Sequence, residues 1–404
     1  MSRRDRHCRA SHSPSSRRSF ERYAASIVSI IGFGRRIQTY KDPIVSEVIY
    51  VMQLAAALNV PGKVRGHVQT PPDRALTREV DLQGMPMLVE TFPIMAKFPT
   101  WFPWMRGVKG RKKSTEFFYQ LAREAAEENP NESYSRELFT DFVDQYKLTK
   151  EEIAGLSGNL FGAGSDTSSS TLVSFILAAV AFPEIQKKAW EELDRVVGHD
   201  RSPTFDDQEN LPYINAIAAE VLRWRSVAVI GGQPHANIQE DEYNGWKIPA
   251  KTWVQANLWA IHRHPRDFPE PDRFNPDRFL KENRLPYPDR KGYSTFGYGR
   301  RVCAGQAFAE QGTFISIARL LWSFHIQKGL DANGREVDVD IFAYTNGLNM
   351  RPQPFPARFT PRNPTIRAAI EREAKEALVE LERYNLPTKF RLSEMDMADR
   401  VELK

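Results

Sequence analysis

Apolar residues recur at the 3.6-residue period of helices along most of this chain, and strand-like pieces are confined to its second half. A helical pattern surrounds Tyr23-Ala24-Ala25-Ser26-Ile27-Val28, another spans residues 43–58, and Gly32-Phe33-Gly34 separates them. Residues 60–83 lose the period and carry Pro61, Gly62, Gly66, Pro71 and Pro72, so they read as a surface loop or inserted segment. Residues 92–108 crowd prolines among Phe98, Trp101, Phe102 and Trp104, a composition suited equally to a flap near a membrane and to a core-packed connector. Thr149 and Glu152 have capping-box spacing and open a periodic run from Ile153 to Phe182, closed by Pro183. At 1.5 Å per residue that helix would be about 50 Å long, enough to cross a domain. Helices are also predicted over 184–197 (closed by Gly198), 213–224 and 306–324. Asn244-Gly245 predicts a hairpin turn before Trp246-Lys247-Ile248, and a second small β region is expected over 337–359, turning at Asn346-Gly347. Residues 366–404 are highly charged and read as an exposed helix and tail. The fold class is mainly α with a small β region.

A chain of 404 residues can bury a sizeable core, and 41% hydrophobic with 26% charged residues is a globular composition. The net charge of +5 is mild, with 56 basic against 51 acidic residues, and much of the excess is arginine in the first forty positions. No basic patch interleaves with aromatics, so nucleic-acid binding is not supported. Cys8 and Cys303 stand too far apart in sequence and context to suggest a disulfide framework, which points to a reducing compartment. The longest apolar runs, 24–33 and 172–182, fall short of the ~20 residues a membrane-crossing helix needs. The opening MSRRDRHCRASHSPSSRR suits a transit peptide, a disordered tail or the ragged start of a shortened chain.

Candidate chemistry concentrates in Phe296-Gly297-Tyr298-Gly299-Arg300-Arg301-Val302-Cys303-Ala304-Gly305, just before the helix expected over 306–324. A thiol at a helix mouth faces unpaired N–H groups and the positive end of the dipole, both of which favour negative charge on the sulfur. Gly297, Gly299 and Gly305 let the backbone pass where a Cβ would not fit, so a flat bulky group could lie against the loop. Arg301 adds a positive charge two residues before Cys303. An iron porphyrin needs such an axial sulfur and such a counter-charge for a propionate. Taken alone, a lone Cys is more often a small buried hydrophobe.

A second unusual stretch, Ala163-Gly164-Ser165-Asp166-Thr167-Ser168, lies inside the long predicted helix. Each mid-helix glycine costs roughly 1 kcal/mol relative to alanine, so local propensity is violated there. The Thr167 hydroxyl can bond back to the Ala163 carbonyl and open a shallow groove. By itself the stretch reads as a close-packing site with a self-satisfied threonine. Glu220 and Arg223 are three apart on one helix face, and Pro271-Asp272-Arg273-Phe274-Asn275-Pro276-Asp277-Arg278-Phe279 repeats a P-D-R-F unit.

Together, F-x-x-G-x-R-x-C-x-G at 296–305, A-G-x-D-T-S at 163–168, E-x-x-R at 220–223 and P-x-x-F-x-P-D-R-F at 271–279 resemble the cytochrome P-450 family, in the family's order. The resemblance covers roughly Phe20 to Pro361, and its wording is similar to fungal microsomal members acting on secondary-metabolite intermediates. It implies haem b with Cys303 as the axial thiolate. Phe296, Arg301, Gly299, Gly305, Ala163, Gly164 and His235 are implied at the cofactor, with Arg301 and His235 on propionates. It implies Thr167 and Asp166 as the proton-delivering pair, and Glu220, Arg223 and Arg278 as a structural triad. Asn159, Val229, Ile230 and Thr345 would line the substrate pocket. Implied partners are O2, a small apolar substrate and NADPH–cytochrome P-450 reductase, at the endoplasmic-reticulum surface, or in the cytoplasm for a shortened chain. The expected organisation is a tail (1–19), a haem domain (20–365) and a charged extension (366–404). The family's N-terminal anchor, hinge, first strands and W-x-x-x-R helix have no counterpart; the literal Trp259-x-x-x-Arg263 falls after the Glu220 helix, out of place. Two functional classes therefore stand: a haem-thiolate monooxygenase, or a shortened relative that holds haem with little or no turnover.

Overall fold

The computed structural model describes residues 14–39, 42, 44–45, 106–281, 291–346 and 349–387. They fall into two units: Arg22–Ser165 with Glu380–Lys404, and Met1–Glu21 with Asp166–Val379. The longest helix, α3 (Lys150–Ala181), contains the boundary between them.

In the first of these units, α1 (Pro14–Phe33) contributes its later turns alongside α2 (Arg106–Glu127) and the opening half of α3. The capping box forms as expected: the Thr149 amide and hydroxyl donate to the Glu152 carboxylate at 2.8 and 2.9 Å, and the Glu152 amide donates back to Thr149 Oγ1 at 3.3 Å. Val28, Phe33, Phe117, Phe118, Leu121 and Phe161 form the core. Two glycines of α3 explain why the helix tolerates them. A Cβ at Gly158 would lie 2.7 Å from the Phe118 ring, and one at Gly164 would lie 2.8 Å from Val28 Cγ2. Of the helix expected over 43–58 only 44–45 are described, and these are helical. The 60–83 segment lies outside the described residues, and so does the proline-aromatic stretch up to its end, where α2 begins at Arg106.

The other unit is built on the second half of α3 with α4 (Glu184–Val196), α5 (Pro212–Trp224), α6 (Gln306–Ser323) and α7 (Pro364–Glu380). Phe175, Leu177, Ile217, Val221, Trp224 and Trp322 are buried at its centre. Helix α4 ends at Gly198 (φ +77), whose amide bonds Leu193 O at 3.1 Å, and the Trp322 indole N–H closes on the Gly198 carbonyl at 2.7 Å. The Glu192 carboxylate of α4 caps α5 by accepting from the amides of Tyr213 (2.9 Å) and Ile214 (3.0 Å).

Among the described residues, three two-stranded antiparallel pairs accompany these helices: β1 (His235–Ala236) with β4 (Trp253–Val254), β2 (Asp241–Tyr243) with β3 (Trp246–Ile248), and β5 (Phe324–Lys328) with β6 (Ala357–Pro361). Asn244 (φ 51) and Gly245 (φ +81) make the predicted hairpin turn between β2 and β3. The late β region differs from expectation. Helix α6 stops at Ser323, and Phe324 begins a strand whose register runs from Phe324↔Pro361 to Lys328↔Ala357. Within 337–359 the strand structure is the start of β6 and an isolated Tyr344↔Pro352 bridge; Asn346 is described, whereas Gly347 lies outside the described residues. The charged C-terminal helix is not wholly exposed, because α7 buries Ile366 and Ala369 in the core.

Gln186 joins these layers. Pro183 has no N–H with which to reach the Ala179 carbonyl one turn back; the buried Gln186 amide donates there instead (3.0 Å), and also pairs with Ile326 of β5 through its O (2.8 Å) and N (2.9 Å). Gln186→Leu is therefore expected to destabilise this unit by about 3 kcal/mol despite added apolar bulk, since it strands buried backbone groups. Urea unfolding of the two proteins side by side measures this, and an unchanged midpoint would contradict it.

Candidate active site

Cys303 is free and exposed, in the turn that leads into α6. Its amide donates to the Phe296 carbonyl at 2.8 Å, and the Gly297 amide donates to the Ser294 carbonyl at 3.0 Å, so residues 294–303 fold back on themselves. The fold-back needs φ values of +82 at Gly297 and +58 at Gly299, left-handed conformations that glycine adopts at no steric cost. Phe296 turns inward onto Tyr293, the ring centroids 6.3 Å apart. Glu310 of α6 accepts from Lys291 (2.6 Å), Tyr293 (2.8 Å) and Gln306 (2.9 Å), pinning the loop to its helix.

Behind the loop lies the cluster expected from Glu220, Arg223 and Arg278, and the structure brings all three together. The Glu220 carboxylate, fully buried, accepts from Arg223 Nε (2.8 Å) and Nη2 (2.7 Å), the Asn275 amide (2.9 Å) and Arg278 Nε (3.2 Å). Arg273 instead faces Glu270 at 3.9 Å in an exposed pair. Arg223 Nη1 also donates to the carbonyls of His262 (3.0 Å) and Pro271 (2.9 Å). His262 was not singled out from the sequence. Its buried ring accepts from the Ser294 amide at Nε2 (3.0 Å) and meets Ser226 Oγ at Nδ1 (3.0 Å). Burial, with Arg223 and Arg263 nearby, pushes its pKa down to about 3.

The second chemical stretch keeps Asp166 and Thr167 half-buried on α3. One Asp166 oxygen pairs with Arg351 and the other accepts from Asn349 Nδ2 at 3.0 Å; Arg351 also holds Glu21 at 3.0 Å. Thr345 lies in the same hairpin, its amide donating to the Arg351 carbonyl (2.8 Å) and its hydroxyl accepting from the Arg351 amide (3.1 Å). The Met350 amide donates to Val227 O at 2.8 Å, joining that hairpin to the 227–231 loop with half-buried Val229 and exposed Ile230. Three of the expected regions thus form one cluster.

The remaining expected positions are more scattered. Asn159 and Ala163 are exposed, and the side of Gly164 where a Cβ would stand is filled by Val28, a close-packing contact. His235 is exposed on β1, opposite Val254. Trp259 and Arg263, out of place as a family motif, do meet: the guanidinium lies 3.2 Å from the ring centroid.

A mainly helical scaffold that presents an exposed thiol at the head of α6, backed by a buried Glu-Arg-Arg cluster, sets the class of protein. A description of the Cytochrome P450 family matches residues 2–340, and the chain belongs to that family. It is 36% identical over 353 residues to cytochrome P450 monooxygenase 113 of Postia placenta, covering 87% of this chain and 65% of that relative. It is 33% identical over 368 residues to cytochrome P450 monooxygenase verL of Clonostachys rogersoniana (88% of this chain, 64% of the relative). With peniB of Penicillium patulum it shares 33% over 355 residues (88% and 61%). The chain spans less than two thirds of the length of each.

Family membership implies haem with a thiolate iron ligand. The loop fits such a group. A Cβ at Gly299 would meet nothing within 4 Å and one at Gly305 only Cys303 Sγ at 3.9 Å, which leaves open space around the sulfur. Tyr298, Val302 and Phe308 nearby in sequence are exposed apolar surface, and Arg301 has no carboxylate partner among the described residues.

Glu220→Ala would leave buried guanidinium groups without their counter-charge, and a loss of about 3–5 kcal/mol in stability is expected. Glu220→Gln should lose less; equal thermal midpoints for parent and Glu220→Ala would refute the assignment. For His262 the unfolded ring takes its proton near pH 6.5 while the folded ring resists until about 3. The unfolded state then binds more protons, so stability falls with acidification across that window with a slope of about one proton. His262→Gln should remove that slope, as read from urea midpoints at stepped pH.

Proposed function

We propose that this chain acts as a haem-thiolate monooxygenase on a small apolar molecule. One atom of O2 enters a C–H bond of the substrate, the other leaves as water, and two electrons come from NADPH through NADPH–cytochrome P-450 reductase at the endoplasmic-reticulum surface. Among the described residues no single helix is long and apolar enough to cross a membrane. The observation that carries the reading is the exposed Cys303 thiol on a glycine-opened loop, held by its own amide on Phe296 O at 2.8 Å.

Haem, when bound, supplies the binding and reductive activation of O2. Cys303 Sγ would hold the iron, and Arg301 and His235 carry positive or protonatable groups for its carboxylates. Thr167 Oγ1 holds a proton for transfer, and Asp166 renews it from its carboxylate. Arg351 and Asn349 orient that carboxylate. The 227–231 loop and the Thr345 hairpin, tied together at Met350, offer Val229, Ile230 and Thr345 to the substrate. The engagement of both Asp166 oxygens favours a second reading, a haem-holding chain with little turnover.

The test is a spectrum of the reduced, CO-treated protein. The parent should show the thiolate-shifted Soret band and Cys303→Ala should lose it; retention of the band by Cys303→Ala would end the proposal. Product formation with reductase and NADPH separates the two readings. Thr167→Ala is expected to keep the band while less product forms per NADPH consumed and more hydrogen peroxide is released; unchanged coupling would remove Thr167 from the proton path.

A further inference from the structure

We propose that His262 is a positioning residue for the Cys303 loop, acting as a fixed hydrogen-bond acceptor that ties the loop backbone to helix α5. The purpose assigned to it rests on the haem-thiolate reading; its geometry does not.

His262 follows the short turn Leu258–Ile261 and is 1% exposed, its ring edge-on to Phe268 at 6.1 Å. A backbone N–H can only donate, so Nε2, 3.0 Å from the Ser294 amide, must be the unprotonated nitrogen. The ring is neutral between the cations Arg223 and Arg263, so its one proton sits on Nδ1 and points at Ser226 Oγ, 3.0 Å away. Ser226 and Thr295 each have one hydroxyl proton. They lie 2.9 Å from each other and 2.7 and 2.6 Å from the Leu222 carbonyl. With Ser226 already accepting from the ring, its own proton and that of Thr295 are left for the Leu222 carbonyl and for each other. The donors therefore run from the Ser294 amide to the imidazole, from the imidazole to Ser226, and from the hydroxyl pair to Leu222 O of α5.

The loop side of the relay is equally continuous. Ser294 gives its amide to the ring and its carbonyl to the Gly297 amide at 3.0 Å, and Phe296 O receives the Cys303 amide at 2.8 Å. The His262 carbonyl meanwhile receives Arg223 Nη1 at 3.0 Å, so the residue is clamped to the buried Glu220 cluster on one side and grips the loop on the other. Thr295 Oγ1 on Leu222 O gives the loop a second hold on α5. A sulfur that must meet a metal at a fixed distance needs its supporting backbone immobilised in this manner.

The experiment compares the full chain with His262→Gln, His262→Phe and Ser226→Ala. In the haem-free proteins, amide hydrogen exchange is followed over residues 291–303, with 184–196 of α4 as an internal reference. In the hemin-loaded proteins, the fraction of the reduced, CO-bound form carrying the thiolate-shifted Soret band is read. His262→Phe should speed exchange over 291–303 by about tenfold, the loss expected for one buried hydrogen bond, with the reference segment changed by less than about twofold. The shifted band should fall in step. Gln, whose side-chain oxygen can accept from Ser294, should restore both readouts, and Ser226→Ala should fall between. The proposal is overturned if 291–303 exchanges at the parent rate in His262→Phe, if the reference segment loosens equally, or if Gln behaves as Phe does. Should His262→Phe fail to fold, Ser226→Ala decides: faster exchange confined to 291–303 upholds the relay, and parent-like exchange overturns it. A parent without the shifted band whose variants still show the exchange pattern would sink the haem-thiolate reading and leave the relay standing.

Discussion

One carboxylate governs the arrangement behind the thiol. Glu220 is fully buried, and an ionised carboxyl removed from water costs several kcal/mol unless its lone pairs are answered. Here they are answered by two arginines and a backbone amide, all within 3.2 Å. The constraint is mutual: neither Arg223 nor Arg278 could be buried without Glu220, and Glu220 could not be buried without them. The C-terminal half of α5 is consequently fixed against the segment carrying Asn275 and Arg278. Everything attached beyond it inherits that position, the 294–303 loop through Leu222 O and His262, and the hairpin carrying Thr345 and Arg351 through Val227 O.

Arg225 and Arg263 extend the same logic next to the cluster. Arg225 is buried beside the Trp224 ring, 4.1 Å from its centroid, and donates to Ile341 O at 3.0 and 3.2 Å. Arg263 covers Trp259, donates to Trp224 O at 3.2 Å and shares Asp272 with Arg225, and burial pulls its pKa down to about 10. Carboxylates are fewer than guanidiniums here, and the balance is made up by carbonyls and aromatic faces. Only a planar group with several fixed donors can use such a mixed environment; lysine, with one compact charge, could not reach a carbonyl and a carboxylate and stack on a ring at once.

What the sequence made legible were features in which one residue type has one physical use. Thr149 with Glu152, Gly198, Asn244-Gly245 and Pro183 are local signals, and each acts within a few residues of itself. Cys303 stood out because three glycines and an arginine surround it, and Glu220 with Arg223 because helical spacing alone brings them together. The strand Phe324–Lys328 was unreadable because its apolar residues continue the period of α6, and only the distant partner Ala357–Pro361 stops the helix at Ser323. Ile366 and Ala369 were hidden among charges that face outward along the rest of α7. His262 and Arg351 carried no local signal: the partners that define them, Ser294 and Asp166, lie far away in sequence. The glycine at 164 violates propensity as a functional site does, yet packing against Val28 suffices to account for it.

Two sets of contacts beyond the C-terminal end of α5 differ in burial. On the thiol side the backbone is held by buried, directionally ordered bonds, and the residues that hold it (His262, Ser226, Arg223) are almost wholly removed from solvent. On the Val227 side Ile230 is exposed, and Asp166 pairs with partly exposed Arg351, which also holds Glu21. Buried contacts are thus concentrated beside the Cys303 loop, and partly exposed ones around Asp166, Arg351 and Ile230.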